Sequence, residues 1–333
     1  MIRPFDVRDL LLISKLQNQG VLLNLEEALT KTYRPLLAAL AGCLPLQGIR
    51  VLTYVCDEAE EGRRTAGFAQ VRMRRESSEA DVVYLTPSLS VAEDAKTTWC
   101  RLLEKLFLEA GEQGIHRIFA RLPEDGPEVE AFQRVGFSVY TQEDVFRLAQ
   151  IPFKLSHPER RTVRSQQAAD NWGLQGLYAT VAPRLVQRAE HLTVRKWEAT
   201  PGPWPRQARR EGYVLEDKRE IMGYLRIRQG QTGHWLEMLL HPQAHERADE
   251  LIVQSLSILA EYPPRPIYCC LRRYQGGLRV PLEARGFQHF ASQCVMIKYT
   301  TVRIQEPALK LVPTLEKRAE AATPMMKTQG NVK

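Results

Sequence analysis

The sequence predicts an α+β protein of two tandem domains, each a mixed twisted sheet flanked by helices. Two observations carry that expectation. Gly136-Phe137 and Gly286-Phe287 lie 150 residues apart, each closing a short helix-like run and each followed by a strand-like run. The same order of parts leads up to both. A hydrophobic strand ends in Thr86-Pro87 or His241-Pro242, and a long amphipathic helix, a second strand and the short helix follow. A period of that size points to a duplicated domain rather than a solenoid unit. With 44% hydrophobic and 26% charged residues, the 333-residue chain is long enough to bury two cores. The expected division is 1–150, a linker at 151–159, a second domain at 160–304 and a mobile tail at 305–333.

In chain order, residues 3–20 open with a short strand and then Asp6-Val7-Arg8-Asp9-Leu10-Leu11, an acidic cap ahead of helically spaced apolar residues. Residues 24–40 read as a second helix. Residues 50–56, 65–74 and 80–86 read as three strands of a meander, separated by polar loops. Residues 97–112 carry Trp99, Leu102, Leu103, Leu106, Phe107 and Ala110, a stripe recurring every three to four positions. Strands at 115–122 and 139–148 close the first cycle. The second opens near Asp170, with strands expected at 212–216, 221–229 and 234–240. A helix at 247–260 and strands at 266–271 and 290–300 complete it. Thr200-Pro201-Gly202-Pro203-Trp204-Pro205 cannot be a helix or a central strand, because proline lacks the donor and fixes φ.

Several function classes find no support. No run approaches the roughly 20 apolar residues that span a bilayer. The N-terminal residues lack the long apolar core of a secretion signal. A cytoplasmic location without membrane contact is therefore expected. The six cysteines show no paired zinc spacing, and no metal site is expected; His241 and His245 have i, i+4 spacing, but Pro242 intervenes. Net charge is +7, with arginines clustered at 160–164 and 184–210. A solvated basic face explains them more plainly than nucleic acid, which is not expected as a partner.

The order of parts resembles the GNAT acyltransferase superfamily: helix pair, three-strand meander, strand-to-helix crossover, strand, short helix ending in Gly-Phe, last strand. The resemblance covers roughly 1–148 and 160–300. It implies two tandem GNAT-like domains and an acyl-CoA-dependent N-acyltransferase using acetyl-CoA or another acyl-CoA. The acceptor would be a small-molecule or peptide amine. The alternative is a non-catalytic GNAT-fold binding or scaffold protein. In the family a Gln/Arg-x-x-Gly-x-Gly/Ala segment before the long helix lets backbone N–H groups reach the coenzyme pyrophosphate. Here His245-Glu246-Arg247-Ala248-Asp249-Glu250 and Asp94-Ala95-Lys96-Thr97-Thr98-Trp99 stand in its place. No glycine occurs between Phe68 and Ala110 or between His234 and Gln275.

The resemblance also assigns site residues. Backbone near Leu239, Leu240 and His241 would meet the pantetheine arm, and helix N–H groups near Arg247 and Ala248 the phosphates. Glu237 is the candidate general base, since a carboxylate among apolar neighbours can accept a proton from an ammonium. The first copy offers only Asp81 and Tyr84 on the matching strand. The tyrosine that commonly protonates the departing thiolate is replaced by Phe132 and Leu282, neither of which carries a proton to give. Arg272 and Arg273 are further candidates for holding an anionic group.

Overall fold

The computed structural model describes residues 2–43, 51–60, 63–74, 78–91, 94–152, 163–191, 197 and 210–300. Most of the expected linker, the proline-rich loop and the tail lie outside the described residues. Strand β1 (Ile2–Pro4) leads through a 3-10 turn at Val7–Asp9 into helix α1 (Leu10–Leu16). The Asp9 carboxylate pins that junction. It accepts two 2.6 Å bonds from the Arg3 guanidinium and one of 2.9 Å from the Asp6 N–H. Strand β2 (Val21–Leu22) and helices α2 (Leu25–Thr30) and α3 (Pro35–Cys43) follow. One helix was expected over 24–40. Two form, because Pro35 lacks the N–H that a continuous helix needs and is suited to a helix start.

The meander is β3 (Val51–Glu60), β4 (Arg63–Met73) and β5 (Glu79–Thr86). Helix α4 (Ala95–Glu112), β6 (Arg117–Pro123), α5 (Pro127–Arg134) and β7 (Ser138–Leu148) complete the first half. The apolar stripe of α4 is buried as its spacing predicts, with Trp99, Leu102 and Leu103 fully inside. Each such side chain contributes about 1.5–3 kcal/mol. The turn from α5 into β7 needs Gly136 at φ +89°, and Gly286 repeats it at +87°. That left-handed backbone explains why glycine precedes phenylalanine in both copies.

The second half consists of β8 (Val163–Ser165), α6 (Asn171–Val181), α7 (Arg184–Glu190), β9 (Arg210–Asp217), β10 (Glu220–Arg228) and β11 (His234–Leu240). Then come α8 (Ala248–Leu259), β12 (Ile267–Arg272), α9 (Arg279–Ala284) and β13 (Gln288–Tyr299). Its opening copies the first: Arg164 gives two 2.8 Å bonds to Asp170, which also accepts from Gln167 N–H at 2.7 Å.

Among the described residues thirteen strands join one sheet, in the order β1-β3-β4-β5-β6-β13-β7-β12-β11-β10-β9-β8, with β2 paired to β5. Only β5–β6 and β11–β12 are parallel. The sheet of each half is mixed, as expected, but the last strands are exchanged. β13 lies between β6 and β7, and β7 pairs with β12. On one face α4 and α5 cover the first half, and α8 and α9 the second. The other face carries α1 and α3 on the first half and α6–α7 on the second, while α2 lays Leu25 and Leu29 on Trp235 and Tyr268 of β11 and β12. No described helix is long and apolar enough to cross a membrane.

Candidate functional site

The parallel strands part company partway along. β5 and β6 are paired only from Glu79–Arg117 to Asp81–Phe119, and β11 and β12 only from His234–Ile267 to Glu237–Cys270. Beyond these rungs one edge of β5 and of β11 loses its neighbour, and its buried peptide groups need other partners.

In the first half the chain itself supplies them. Val21 and Leu22 of β2 pair with Leu85 and Tyr84, and Leu23 N–H donates to the Val83 carbonyl at 2.8 Å. β4 pairs with Leu85 and Tyr84 along the opposite edge, so β2 lies on the side that β6 has left. The approach is close: a Cβ at Gly20 would stand 2.5 Å from the Leu85 carbonyl oxygen. Tyr84 donates its hydroxyl to the Gln17 carbonyl at 2.6 Å, and Asp81 takes the Arg74 guanidinium at 2.6 and 2.8 Å. Trp99, at the position where the resemblance implies a second glycine, is fully buried and donates to the Pro87 carbonyl at 2.7 Å.

In the second half one side chain does this work. With its amide oriented so that both of its atoms find partners, Gln275 donates to the Met238 carbonyl at 2.8 Å and accepts from the Leu240 N–H at 3.1 Å. The peptide edge expected to meet the pantetheine arm at Leu239 and Leu240 is thus bridged by a side-chain amide. His241 N–H donates to the Met222 carbonyl, and its ring lines a surface cleft with Arg164, Gly173 and Arg219. At the entry to α8 a 3-10 turn, Pro242–Arg247, takes the place of an open phosphate loop. His241 Nδ1 accepts from Gln243 N–H at 3.2 Å, so that donor is occupied. Arg247, expected to face phosphate, clasps Glu250 at 2.9 and 3.0 Å, and Asp249 takes Arg285 at 2.6 Å. Ala248 is buried under them. Asp249 and Glu250 in the first turn already complement the positive end of the α8 dipole.

Glu237 sits on the last paired rung of β11, its side chain 35% exposed beside Arg226, which donates to it from β10. Trp235 Nε1 donates to its other oxygen at 3.3 Å. The carboxylate drives the Arg226 guanidinium further into its charged form. Apolar surroundings alone, as read from the sequence, omit this partner. Phe132 and Leu282 are both fully buried and carry no proton to the cleft.

The largest feature without a clear sequence signal is a strip of charge crossing the sheet where the halves meet. Arg272 gives Nε to Glu143 at 3.0 Å and Nη2 to Glu190 at 2.7 Å. Arg121 reaches the other Glu143 oxygen at 3.2 Å. Burial pushes the Glu143 carboxyl up, but Arg272 and Arg121 outweigh it and hold it below the usual range. Tyr140 and Tyr178 donate to Glu190 at 3.1 and 2.8 Å. Between Glu143 and Glu237 lies Cys270, whose thiol is pushed well up, first by burial and then by those carboxylates. Arg273 bridges to Glu124 at 2.7 Å and to Asp144. Only the arginines at 272 and 273 stood out in the sequence; Glu143, Glu124 and Asp144 reach them from the first half, and Glu190 from α7 of the second. No group of three or more metal-ligating side chains occurs among the described residues.

No protein-family model matches the sequence, and no curated protein matches it. Solved structures do share the fold. One is a tandem GNAT protein from the clavulanic acid biosynthesis pathway, without AcCoA; identity is 12% and the TM-score 0.54, over 90% of this chain and 98% of that one. Another is a GCN5-related N-acetyltransferase from Sphaerobacter thermophilus, at 11% identity and a TM-score of 0.50, over 90% and 95% of the two chains. At such identities the likeness is one of fold: the chain is a tandem GNAT-fold protein.

Proposed function

We propose that this tandem GNAT-fold chain is an acyl-CoA-dependent N-acyltransferase whose second half binds the thioester, while the first half is structural. The observation that supports this division is what fills each strand edge. In the first half a backbone strand, the buried Leu23 and the buried Trp99 would all have to leave. In the second half no strand is paired to that edge among the described residues; what bridges it is the buried Gln275 side chain, with two hydrogen bonds. Each is worth about 1 kcal/mol net, and an amide of the pantetheine arm could replace them in kind. The Arg247–Glu250 pair is partly exposed, worth about 0–1 kcal/mol, and can re-pair with a phosphate.

Glu237 would receive the acceptor where β11 and β12 separate. Hydrogen-bonded by Arg226, its carboxylate orients the ammonium and passes the proton to water. The amine nitrogen then attacks the thioester carbon; the C–N bond forms and the nitrogen gives its second proton to solvent, the C–S bond breaks and the leaving thiolate takes a proton from solvent. A second reading, a non-catalytic binding or scaffold protein, is favoured by the carboxylates of Asp249 and Glu250 at the α8 entry.

Calorimetric titration with acetyl-CoA and longer acyl-CoAs separates the two. Under the first reading the wild type binds, and Gln275→Ala binds about thirtyfold tighter because an internal competitor worth about 2 kcal/mol is gone. Glu237→Gln then lowers turnover without lowering affinity. Under the second, neither protein takes up coenzyme at millimolar concentration.

A further inference from the structure

The turn that carries Gln275 is held from outside its own half. It is a 3-10 turn, Arg273–Leu278, directly after β12, and its helical geometry is interrupted at Gln275. From there the buried side chain reaches the β11 edge. Both ends of the turn are fixed. At the far end Gly277 lies against the His245 ring, so close that a Cβ would stand 2.5 Å from it. At the near end the Arg273 guanidinium donates Nη1 to Glu124 at 2.7 Å, Nη2 to the other Glu124 oxygen and Nε to Asp144 at 3.3 Å. Asp144 belongs to β7. Glu124 belongs to the connection after β6, the counterpart in the first half of the turn after β12. Equivalent loops of the two halves are thus joined through one guanidinium. Further hydrogen bonds keep both carboxylates in place: Gln142 donates to Glu124 at 2.5 Å, and Ser292 Oγ to Asp144 at 2.7 Å.

We propose that the 273–278 turn is a gate over the β11 edge, and that the first half keeps it shut through Glu124 and Asp144. That the gate guards a thioester site rests on the acyltransferase reading; the gate itself does not. Shut, it places the Gln275 amide on Met238 and Leu240, two residues beyond the clamped Arg273. The connection is short, at most about 7 Å of backbone, so a swing of the turn away from β11 draws Arg273 off its carboxylates. Release is local. Arg273 keeps 38% of its side-chain surface exposed, and water and salt weaken an ion pair in that setting. Its neighbour Arg272, held by Glu143 and Glu190 inside the sheet, stays in place because separating buried charges costs far more. The hinge therefore falls between 272 and 273: β12 remains paired while the turn opens. The structural first half thereby sets access to the second.

The test is native-state amide exchange of the full chain without coenzyme. The Leu240 N–H, held by the Gln275 amide, reports opening of the gate, and the buried Leu225 and Ile227 of β10 report the fold. Glu124→Gln combined with Asp144→Asn should speed Leu240 exchange about fivefold, the upper range for an exposed bidentate pair, and leave Leu225 and Ile227 unchanged. The same clamp variant in a Gln275→Ala background should add nothing at Leu240, because the amide it holds in place is gone. Leu240 exchange that keeps the wild-type rate, that rises only in step with Leu225, or that rises equally without Gln275 overturns the gate. Titration with acetyl-CoA then separates the two readings. Affinity about fivefold higher in the clamp variant supports both, since the open fraction sets the apparent affinity. Faster Leu240 exchange with no coenzyme bound by either protein keeps the gate and removes the acyltransferase reading. Coenzyme bound equally by both, with Leu240 exchange unchanged, does the reverse.

Discussion

Replacing Glu143 by glutamine tests whether the two halves are locked together by charge at the centre of the sheet. Glu143 is 2% exposed and is the hydrogen-bonded carboxylate partner of Arg121, while Arg272 also has Glu190. Removing one member of a buried pair costs about 3–5 kcal/mol because the other charge is left uncompensated. The low end applies here, since Arg272 keeps Glu190 and Arg121 still has the field of Asp81. Residues 1–302 form one compact unit, so about 300 residues should melt together. At about 2.1 cal/mol/K per residue the unfolding entropy is about 0.6 kcal/mol/K, and about 3 kcal/mol lowers Tm by about 5 °C. The sign of the pH effect follows from the depressed carboxyl. A folded-state value below the ordinary 4.5 stabilises above pH 4.5, and that contribution is lost as pH falls through the folded value. Scanning calorimetry at pH 7 and at descending acid pH should show the Tm gap between wild type and Glu143→Gln narrow below about pH 4.5. A gap under about 1 °C at neutral pH, or one that widens on acidification, would refute the reasoning.

Two further outcomes follow from the same arrangement. Expressed alone, residues 1–150 should fail to fold, because β13 is missing from between β6 and β7 and β7 has lost β12; co-expression with 151–333 should restore a soluble pair on gel filtration. Thiol labelling near pH 8 should modify the exposed Cys43 rapidly and Cys270 slowly in folded protein, because burial and two carboxylates keep the Cys270 thiol protonated. Equal rates at the two positions would contradict that environment.

What the sequence conveyed and what it withheld divide along physical lines. Helix α4 and strands β5, β11 and β13 announce themselves, because burial of one face imposes a period of about 3.6 or 2 on apolar residues. The Gly-Phe pairs are legible because only glycine readily adopts the backbone found at Gly136 and Gly286. Pairing partners leave no such trace. Nothing in the pattern of 288–299 says that it will lie against β6 rather than complete its own half, and β2, two residues long, is too short to show alternation. Gln275 reads as a loop residue, yet its amide bridges β11; that contact exists only once the chain is folded. The Arg3–Asp9 and Arg164–Asp170 clasps recur at i, i+6 in both halves, a repeat that neither helical nor strand periodicity picks out. Glu237 stood out as the one glutamate on a strand read as matching, but its partner Arg226 is eleven residues away across a hairpin.

Backbone-amide NMR of the full chain, titrated with acetyl-CoA, tests the account most directly. Acetyl-CoA should shift the Met238, Leu239 and Leu240 amides and release the Gln275 side-chain amide, while Val83, Tyr84 and Leu85 stay still beside β2. Shifts confined to the first half, or none in either, would contradict the assignment of the thioester to the second.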